Sequence, residues 1–236
     1  MRIDSRGALR FAGAMRFLVL LCSFAGVALG AVPPELAAAL KSFRADAPRG
    51  WSFTQTTAAE GKSMVERCDA AKPEFDRWSL VQQDGRAPTE DELRNYADMR
   101  SRRSRGGTAP NLTDQFDLGS LENISDTPDR ATYRFRLKPG EAGDQTGEFL
   151  RATVVVHKPT RTIESVELGS TGEFHPTLGV KITEMKTTMT YSPPADDRPS
   201  LPQQVTTRVR GRAFVFKSLD ADMSVTFSDY VRVGKR

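Results

Sequence analysis

Cysteine and histidine are scarce in this 236-residue chain, which contains two of each. Cys22 lies in an apolar run near the N-terminus, so Cys68 is the only cysteine in the rest of the chain. A single cysteine cannot form an internal disulfide once that run is removed. The histidines, His157 and His175, are too few and too isolated to supply the ligands of a typical zinc site. The sequence therefore predicts neither a disulfide-stabilised fold nor a metal centre.

Catalytic and nucleotide-binding motifs are also missing. The chain has no Gly-x-Ser-x-Gly elbow, no phosphate-binding loop and no dinucleotide fingerprint. Glu173 and His175 share one face of a predicted strand and are the best remaining acid–base candidates. The 30 acidic residues leave a glycosidase-type carboxylate pair open, although no motif favours one. We therefore expect a protein that carries no cofactor and is not an enzyme, with an enzyme as the third alternative.

Long apolar runs are absent beyond residue 30. The one run, Phe17 to Gly30, is shorter than the about 20 residues that a helix needs to span a bilayer. Arginines precede it and a small-x-small triplet ends it at 28–30, which is the arrangement of a secretory signal peptide. We predict that residues 1–30 are removed and that the product is periplasmic or secreted, with no transmembrane segment. Translation from either Met1 or Met15 is compatible with this pattern.

Little net charge is left once that segment is removed. It contains four arginines and one aspartate, so the net charge falls from +4 to +1. A nearly neutral chain without an aromatic stacking motif argues against a nucleic-acid partner. One dense basic run is a candidate for contact with anionic lipid head groups or an acidic partner. Its arginines are Arg100, Arg102, Arg103 and Arg105. A solvated helix end, where cations complement the helix dipole, is the simpler alternative.

Two helices are predicted in the N-terminal half. In the first, Leu36, Leu40 and Phe43 fall on one face, after prolines that suit a first helical turn. The second begins at a capping box formed by Thr89 and Glu92 and should run to about Arg103. The residues of the second helix expected to face inward are Leu93, Tyr96 and Ala97.

Strands are predicted elsewhere, at 51–55, 63–68 and 76–82 and through most of the chain from Ala131 onward. Apolar and polar residues alternate in these segments, which is typical of antiparallel strands with one side exposed to water. No helix is long enough for a parallel crossover. Residues 31–236 are therefore predicted to be one α+β domain, a large antiparallel sheet with two or more helices covering its apolar face.

Two segments carry a resemblance to a known family. The helix Leu36 to Phe43 leads into the strand Trp51-Ser-Phe53-Thr-Gln55, and the strand from Met223 to Tyr230 closes the chain. With the signal peptide and the long antiparallel meander, this pattern resembles the LolA/LppX-like periplasmic lipoprotein and lipid carriers. The resemblance implies a sheet curved into an incomplete, half barrel, whose concave face holds the helices and shelters a lipid chain. No lipoprotein-handling residue of the carriers matches this chain.

Large apolar residues on the predicted inner face are candidates to line such a hollow. They are Trp51, Phe53, Trp78, Met185, Met189 and Phe227. Methionine repacks easily around varied acyl chains, although ordinary core packing is the alternative for each residue. We expect an exported binding protein that shelters a lipid or a lipid-modified protein. The alternative is a periplasmic sensor or accessory subunit that contacts an envelope protein through an exposed apolar or arginine-rich patch.

Cys68 is expected to be a buried, slowly reacting thiol without a redox role. Unpaired cysteines are among the most buried residue types. The neighbouring Glu66 and Asp69 disfavour the thiolate, and no histidine lies nearby in sequence to lower the pKa of the thiol.

Overall fold

The computed structural model describes residues 32–45, 48–104, 112–139, 146–214 and 217–234. The helices are α1 (Pro34–Ser42) and α2 (Glu90–Ser104). The strands are β1 (Trp51–Ala59), β2 (Lys62–Cys68), β3 (Trp78–Gln83), β4 (Phe116–Asp126), β5 (Arg130–Leu137), β6 (Leu150–His157), β7 (Thr162–Ser170), β8 (Phe174–Thr177), β9 (Val180–Tyr191), β10 (Pro202–Ala213), β11 (Lys217–Ser218) and β12 (Ala221–Arg232). The predicted signal peptide, the side chain of Arg103 and all of Arg105 lie outside the described residues.

The described strands form one large antiparallel sheet in the order β3-β2-β1-β12-β10-β9-β7-β6-β5-β4, with β8 paired to β9 and β11 to β10. The sheet is not closed, because β3 and β4 are its two edges. The register places Phe227 of β12 opposite Gln55 of β1, and Val166 of β7 opposite Met189 of β9, all on one face of the sheet. The predicted fold class is confirmed. None of the described helices is long and apolar enough to cross a membrane.

Helix α1 covers the part of this face formed by β6 and β7. Proline in its first turn and Glu35 near its N-terminus favour helix initiation, as the sequence indicated. Leu36 and Ala39, one turn apart, are completely buried. Phe43, just after the helix, packs edge-on against Tyr191 of β9, with ring centroids 5.1 Å apart. The apolar face of the first predicted helix therefore lies on the sheet.

The main core lies between α1 and strands β5 to β7. Alternate residues of β5 and β6 are buried, including Tyr133, Phe135 and Val154, and β7 contributes the buried Ile163 and Val166. The Phe135 ring stacks on Phe116 with centroids 5.2 Å apart and planes 11° apart. The Tyr133 hydroxyl donates a hydrogen bond of 3.0 Å to a carboxylate oxygen of Glu35, which fixes α1 on the sheet.

Strand β4 is the element that the sequence did not reveal. Of its eleven residues only Phe116 is buried, so the alternation that identifies a half-buried strand is missing. Two register shifts against β5 interrupt its pairing further. An edge strand such as this one is specified mainly by its neighbour rather than by its own pattern.

Helix α2 begins at the predicted capping box. The Glu92 backbone N–H donates to the Thr89 hydroxyl at 3.3 Å, and the Thr89 N–H donates to the Glu92 carboxylate at 2.7 Å. The inward-facing residues were predicted less well: Tyr96 is 8% exposed, but Leu93 is 43% exposed and Ala97 is also exposed. The helix packs mainly against the edge strand β3, and Tyr96 also reaches Glu66 of β2, so a narrow line of residues suffices to dock it.

The pH dependence of Glu92 tests this helix start. The Arg86 guanidinium, followed by the Thr89 N–H, lowers the pKa of Glu92 from 4.5 to about 2. Because the pKa is lower in the folded state, the stabilisation is fully present above pH 4.5 and is lost as the pH falls toward about 2. An NMR titration of the native protein should therefore place the Glu92 midpoint near pH 2.

The Arg86→Gln variant should raise that Glu92 midpoint toward the ordinary value, because the largest cause of the shift is removed. Arg94→Gln is the matched control, since Arg94 pairs with Asp91 on the same helix and should leave the midpoint unchanged. A native midpoint near 4.5 would contradict the observed cap.

Candidate functional site

The inner face of the sheet that α1 leaves uncovered contains a cavity of about 270 Å³. Residues of β1, β2, β3 and β12 line it, together with the chain that leads from α1 into β1. Four of the six predicted lining residues meet there: Trp51, Phe53, Trp78 and Phe227. The cavity is slightly smaller than most small-molecule sites, which span about 300–1,000 Å³.

Phe53 is the centre of an aromatic cluster in the cavity wall. Its ring packs edge-on against Trp78 at 5.5 Å and against Phe227 at 5.9 Å, measured between centroids. Tyr230 lies 5.5 Å from Phe53 and 6.5 Å from Trp51. Phe53 is buried, whereas Trp51, Trp78 and Phe227 are only partly buried. Rigid rings with partly accessible faces give the cavity an apolar wall of fixed shape.

The two predicted methionines lie elsewhere on the same face. Met189 of β9 packs against the main core, and its sulfur accepts a hydrogen bond of 3.8 Å from the Tyr191 hydroxyl. Met185 pairs across the sheet with Val209 of β10. Neither residue lines the 270 Å³ cavity, so the structure brings together the aromatic candidates but not the methionines.

Two arginines that the sequence analysis did not single out also line the cavity. The Arg77 Nε atom is buried and has no hydrogen-bond partner. Arg49 is exposed, and within the described ranges neither it nor Arg77 forms an ion pair. A buried charged donor without an acceptor costs about 1–3 kcal/mol or more. No described lining residue is acidic, so the described part of this wall is positively charged.

The sequence did contain a signal for these arginines. Arg77 directly precedes Trp78, and Arg49 lies two residues before Trp51. Arginines this close in sequence to two predicted wall residues are candidates for the same cavity. The cation–π contact that the structure shows at this wall is that of Arg100 over Trp78.

The basic run contributes one residue to the site. Arg100 of α2 lies over the Trp78 ring, with its guanidinium carbon 4.3 Å from the ring centroid. Arg102 is exposed on the same helix. Arg100 therefore serves to pack α2 on the cavity wall, and contact between this run and an anionic surface stays a prediction.

A fully buried carboxylate lies beside the cavity. Glu66 of β2 is 0% exposed. The Tyr96 hydroxyl donates to one of its oxygens at 2.9 Å, and the Gln55 side-chain amide donates to the other at 3.0 Å. Glu66 thus connects α2 to the sheet, and its oxygens are already occupied by donors from the protein.

Cys68 is buried, as predicted, at 5% exposure, and it lines the cavity. Burial raises the pKa of its thiol above the ordinary 9.0, and the charges of Arg77 and Arg100 offset part of that rise. We expect a thiol reagent at about pH 8 to label native Cys68 much more slowly than a free thiol, because the thiolate is the reactive form. Fast stoichiometric labelling, or a disulfide-linked dimer, would contradict this expectation.

The same reaction reports on Arg77. Because the Arg77 charge lowers the pKa of Cys68, Arg77→Gln should shift the labelling midpoint to higher pH. Arg212→Gln is a matched control, since exposed Arg212 lies near the far end of β10 from the lining residue Pro202. It should leave the midpoint unchanged.

A larger, open depression of about 700 Å³ lies mainly on the opposite face of the sheet. Two of its charged side chains, Arg208 and Asp222, pair with each other at 3.2 Å. No aromatic residue is among its described lining residues, so it lacks the rigid apolar wall of the aromatic cavity.

The remaining catalytic candidates lie away from the aromatic cavity. Glu173 pairs with Lys181 at 2.7 Å, and this cation lowers the pKa of Glu173. His175 is exposed on β8, and the His157 ring contacts the Thr160 hydroxyl at 2.7 Å in the turn after β6. In the part of the chain that the structure describes, no group of three or more His, Cys, Asp or Glu residues is placed to hold a metal ion.

Two solved structures resemble this fold at a distance. One, from Vibrio parahaemolyticus, is a domain provisionally described as an outer membrane lipoprotein-sorting protein; it is 10% identical, with 84% of this chain and 91% of that chain covered and a TM-score of 0.35. The other is an isomerase-inactive variant of GphF DH1, 12% identical over 85% of this chain and 80% of that chain, with a TM-score of 0.18. No protein-family model matches the sequence, and no curated protein matches it significantly. These likenesses are too distant to carry an argument about function.

Proposed function

We propose that this protein is an exported, non-catalytic binding protein that shelters a lipid, or the acyl chain of a lipid-modified protein, on the inner face of its curved sheet. The observation that carries the proposal is the aromatic cavity. Strand alternation predicts that four large apolar side chains face inward. In the structure all four line this cavity. A periplasmic or secreted location, based on the predicted signal peptide, forms part of the proposal.

An apolar chain is the ligand that such a wall favours. Each buried methylene contributes about 0.8 kcal/mol, so a chain segment lying against the aromatic rings gains affinity without specific polar contacts. At about 270 Å³ the cavity suits one chain segment rather than a whole phospholipid. The rest of a larger ligand would extend beyond the cavity, past the partly buried rings.

Lipid extraction and mass spectrometry of the purified native protein test the proposal. We expect bound acyl species, and we expect Trp78→Ala to retain much less of them, because the variant removes part of the apolar wall. Phe75→Ala is the control, since Phe75 is 85% exposed and does not line the cavity. A native protein that neither retains lipid nor binds added acyl compounds would contradict the proposal.

A protein partner is the second candidate, and one observation favours it. Leu178 is 96% exposed and Phe214 is 73% exposed. The Phe214 N–H donates to the carbonyl of Gly179, the residue after Leu178, in the segments that adjoin paired β9 and β10. Exposed apolar pairs of this kind mark interaction surfaces. A photo-crosslinker at position 178 should capture one stable envelope protein if the sensor or accessory role is correct, and no stable product if the protein acts as a lipid carrier alone.

A further inference from the structure

We infer that the aromatic cavity binds an anionic amphiphile, in which Arg77 holds an oxyanion head group while the aromatic wall holds the apolar chain. The inference rests on the proposed function and specifies its ligand. The head group is a phosphate or a carboxylate, since both present the oxygen acceptors that a guanidinium group binds.

The first argument is the position of Arg77. Its side chain lines the cavity, and its buried Nε lacks an acceptor. The backbone of Arg77 is fixed, because its carbonyl accepts a 2.7 Å hydrogen bond from the Asp69 N–H and because Arg77 directly precedes β3. A donor that is held in place, shielded from water and unpaired is what a ligand oxygen would satisfy.

The second argument is that nearby carboxylates are already engaged. Both Glu66 oxygens accept hydrogen bonds from Tyr96 and Gln55. Asp69 accepts a 3.0 Å hydrogen bond from the Ala71 N–H. Several arginines elsewhere, such as Arg130 and Arg210, form close ion pairs with acidic residues. Among the described residues, Arg77 has no such partner.

The third argument is the charge of the wall as a whole. Arg49 lines the cavity beside Arg77, and Arg100 lies over Trp78. The described lining contains two arginines and no acidic residue, and residues 46–47 lie outside the described ranges. A neutral or cationic amphiphile would leave this positive charge uncompensated, whereas an anionic one neutralises it in a partly desolvated site.

Three ligands with the same dodecyl chain test the inference: dodecyl phosphate, dodecanoate and dodecanol, each below its aggregation limit. The chain has two tryptophans, and both line the cavity, so their fluorescence reports binding directly. We expect the native protein to bind the better of the two anions about tenfold more tightly than dodecanol, the effect of one charge-assisted hydrogen bond. The stronger anion shows whether the natural source is a phosphate ester or a fatty acid.

Arg77→Gln should abolish the preference for the anion, so that its affinity for both anions falls to its affinity for dodecanol. Arg212→Gln, the remote control, should alter neither. If Arg77→Gln does not fold, Arg49→Gln replaces it as the test variant, since a substitution of exposed Arg49 should not impair folding. Arg49→Gln should reduce the preference for the anion over dodecanol about threefold.

The outcomes separate the inference from the proposed function. If the native protein binds dodecanol as tightly as both anions, or if Arg77→Gln retains the preference, the head-group site is wrong and lipid binding still stands. If none of the three ligands binds, the proposed function fails and the inference fails with it.

Discussion

Replacing Phe135 with alanine should lower the free energy of unfolding by about 3–5 kcal/mol, the range measured for large aromatic truncations in protein cores. Phe135 is 0% exposed and stacks on Phe116, which is 1% exposed. Phe116 is also the one buried residue of the edge strand β4. The variant therefore creates a cavity and removes the stacking contact that holds β4 against the core. We expect the surrounding side chains to refill little of that cavity.

Urea unfolding followed by circular dichroism measures this loss. Phe75→Ala is the matched control, because Phe75 is 85% exposed and should change the unfolding free energy by less than about 0.5 kcal/mol. A loss below about 1 kcal/mol for Phe135→Ala would show that the β4 edge does not pack as described.

The elements that could be predicted are those specified by residues close in sequence. The capping box of α2 depends on Thr89 and Glu92, three residues apart, and its hydrogen bonds form as expected. The apolar face of α1 depends on spacings of three and four, and Leu36 is completely buried. Likewise, strand alternation placed Phe53 and Phe227 on one face.

The elements that could not be predicted depend on residues distant in sequence. Leu93 satisfies the helical spacing, but α2 packs mainly against the edge of the sheet at β3, so the Leu93 side chain stays exposed. Strand β4 shows little alternation because an edge strand with few buried residues needs none. Amphipathic patterns indicate which face can be buried, but the neighbouring element decides whether it is.

The candidate site shows the same division. Its aromatic wall follows from local alternation, whereas its charged residues do not. Glu66 lies 30 residues before Tyr96 in the chain, and only the fold brings the carboxylate and the hydroxyl together. Arg77 can be identified as a candidate only in the structure, because the burial of its Nε atom and the lack of an acceptor for that atom cannot be read from the sequence.

Replacing Glu66 with leucine should lower the free energy of unfolding by about 2–4 kcal/mol. The substitution removes the hydrogen bonds that Glu66 accepts from the Tyr96 hydroxyl and the Gln55 amide, and each hydrogen bond to a charged group contributes about 1.5–3 kcal/mol. The Gln55 amide keeps its 3.4 Å hydrogen bond to the Thr57 hydroxyl. Removal of a buried carboxylate also relieves its desolvation, which opposes this loss. We expect the loss of these two hydrogen bonds to outweigh that relief, because leucine offers no acceptor and fills the space that a replacement water would need.

A double-mutant cycle isolates the Glu66–Tyr96 hydrogen bond. Tyr96→Phe alone should cost about 1.5–3 kcal/mol, the value of a hydrogen bond to a charged group. In the double variant the same hydrogen bond is removed only once, so the loss should be smaller than the sum of the two single losses by at least about 1 kcal/mol. Glu74→Leu is the control, since Glu74 is exposed on a short 3-10 turn. Strict additivity of Glu66→Leu and Tyr96→Phe would show that the bond does not contribute.

Loss of the Glu66–Tyr96 hydrogen bond should destabilise helix α2 more than it destabilises the protein as a whole. Helix α2 packs mainly against β3, and Tyr96, which bonds to Glu66 of β2, is its one buried residue among those whose side chains are described. Hydrogen exchange of the Tyr96→Phe variant should therefore accelerate in α2 while α1 keeps its protection. Because Arg100 of α2 lies over Trp78, release of the helix would also uncover one wall of the aromatic cavity and weaken the binding of a dodecyl ligand. Unchanged exchange in α2 would mean that Tyr96 does not hold the helix on the sheet.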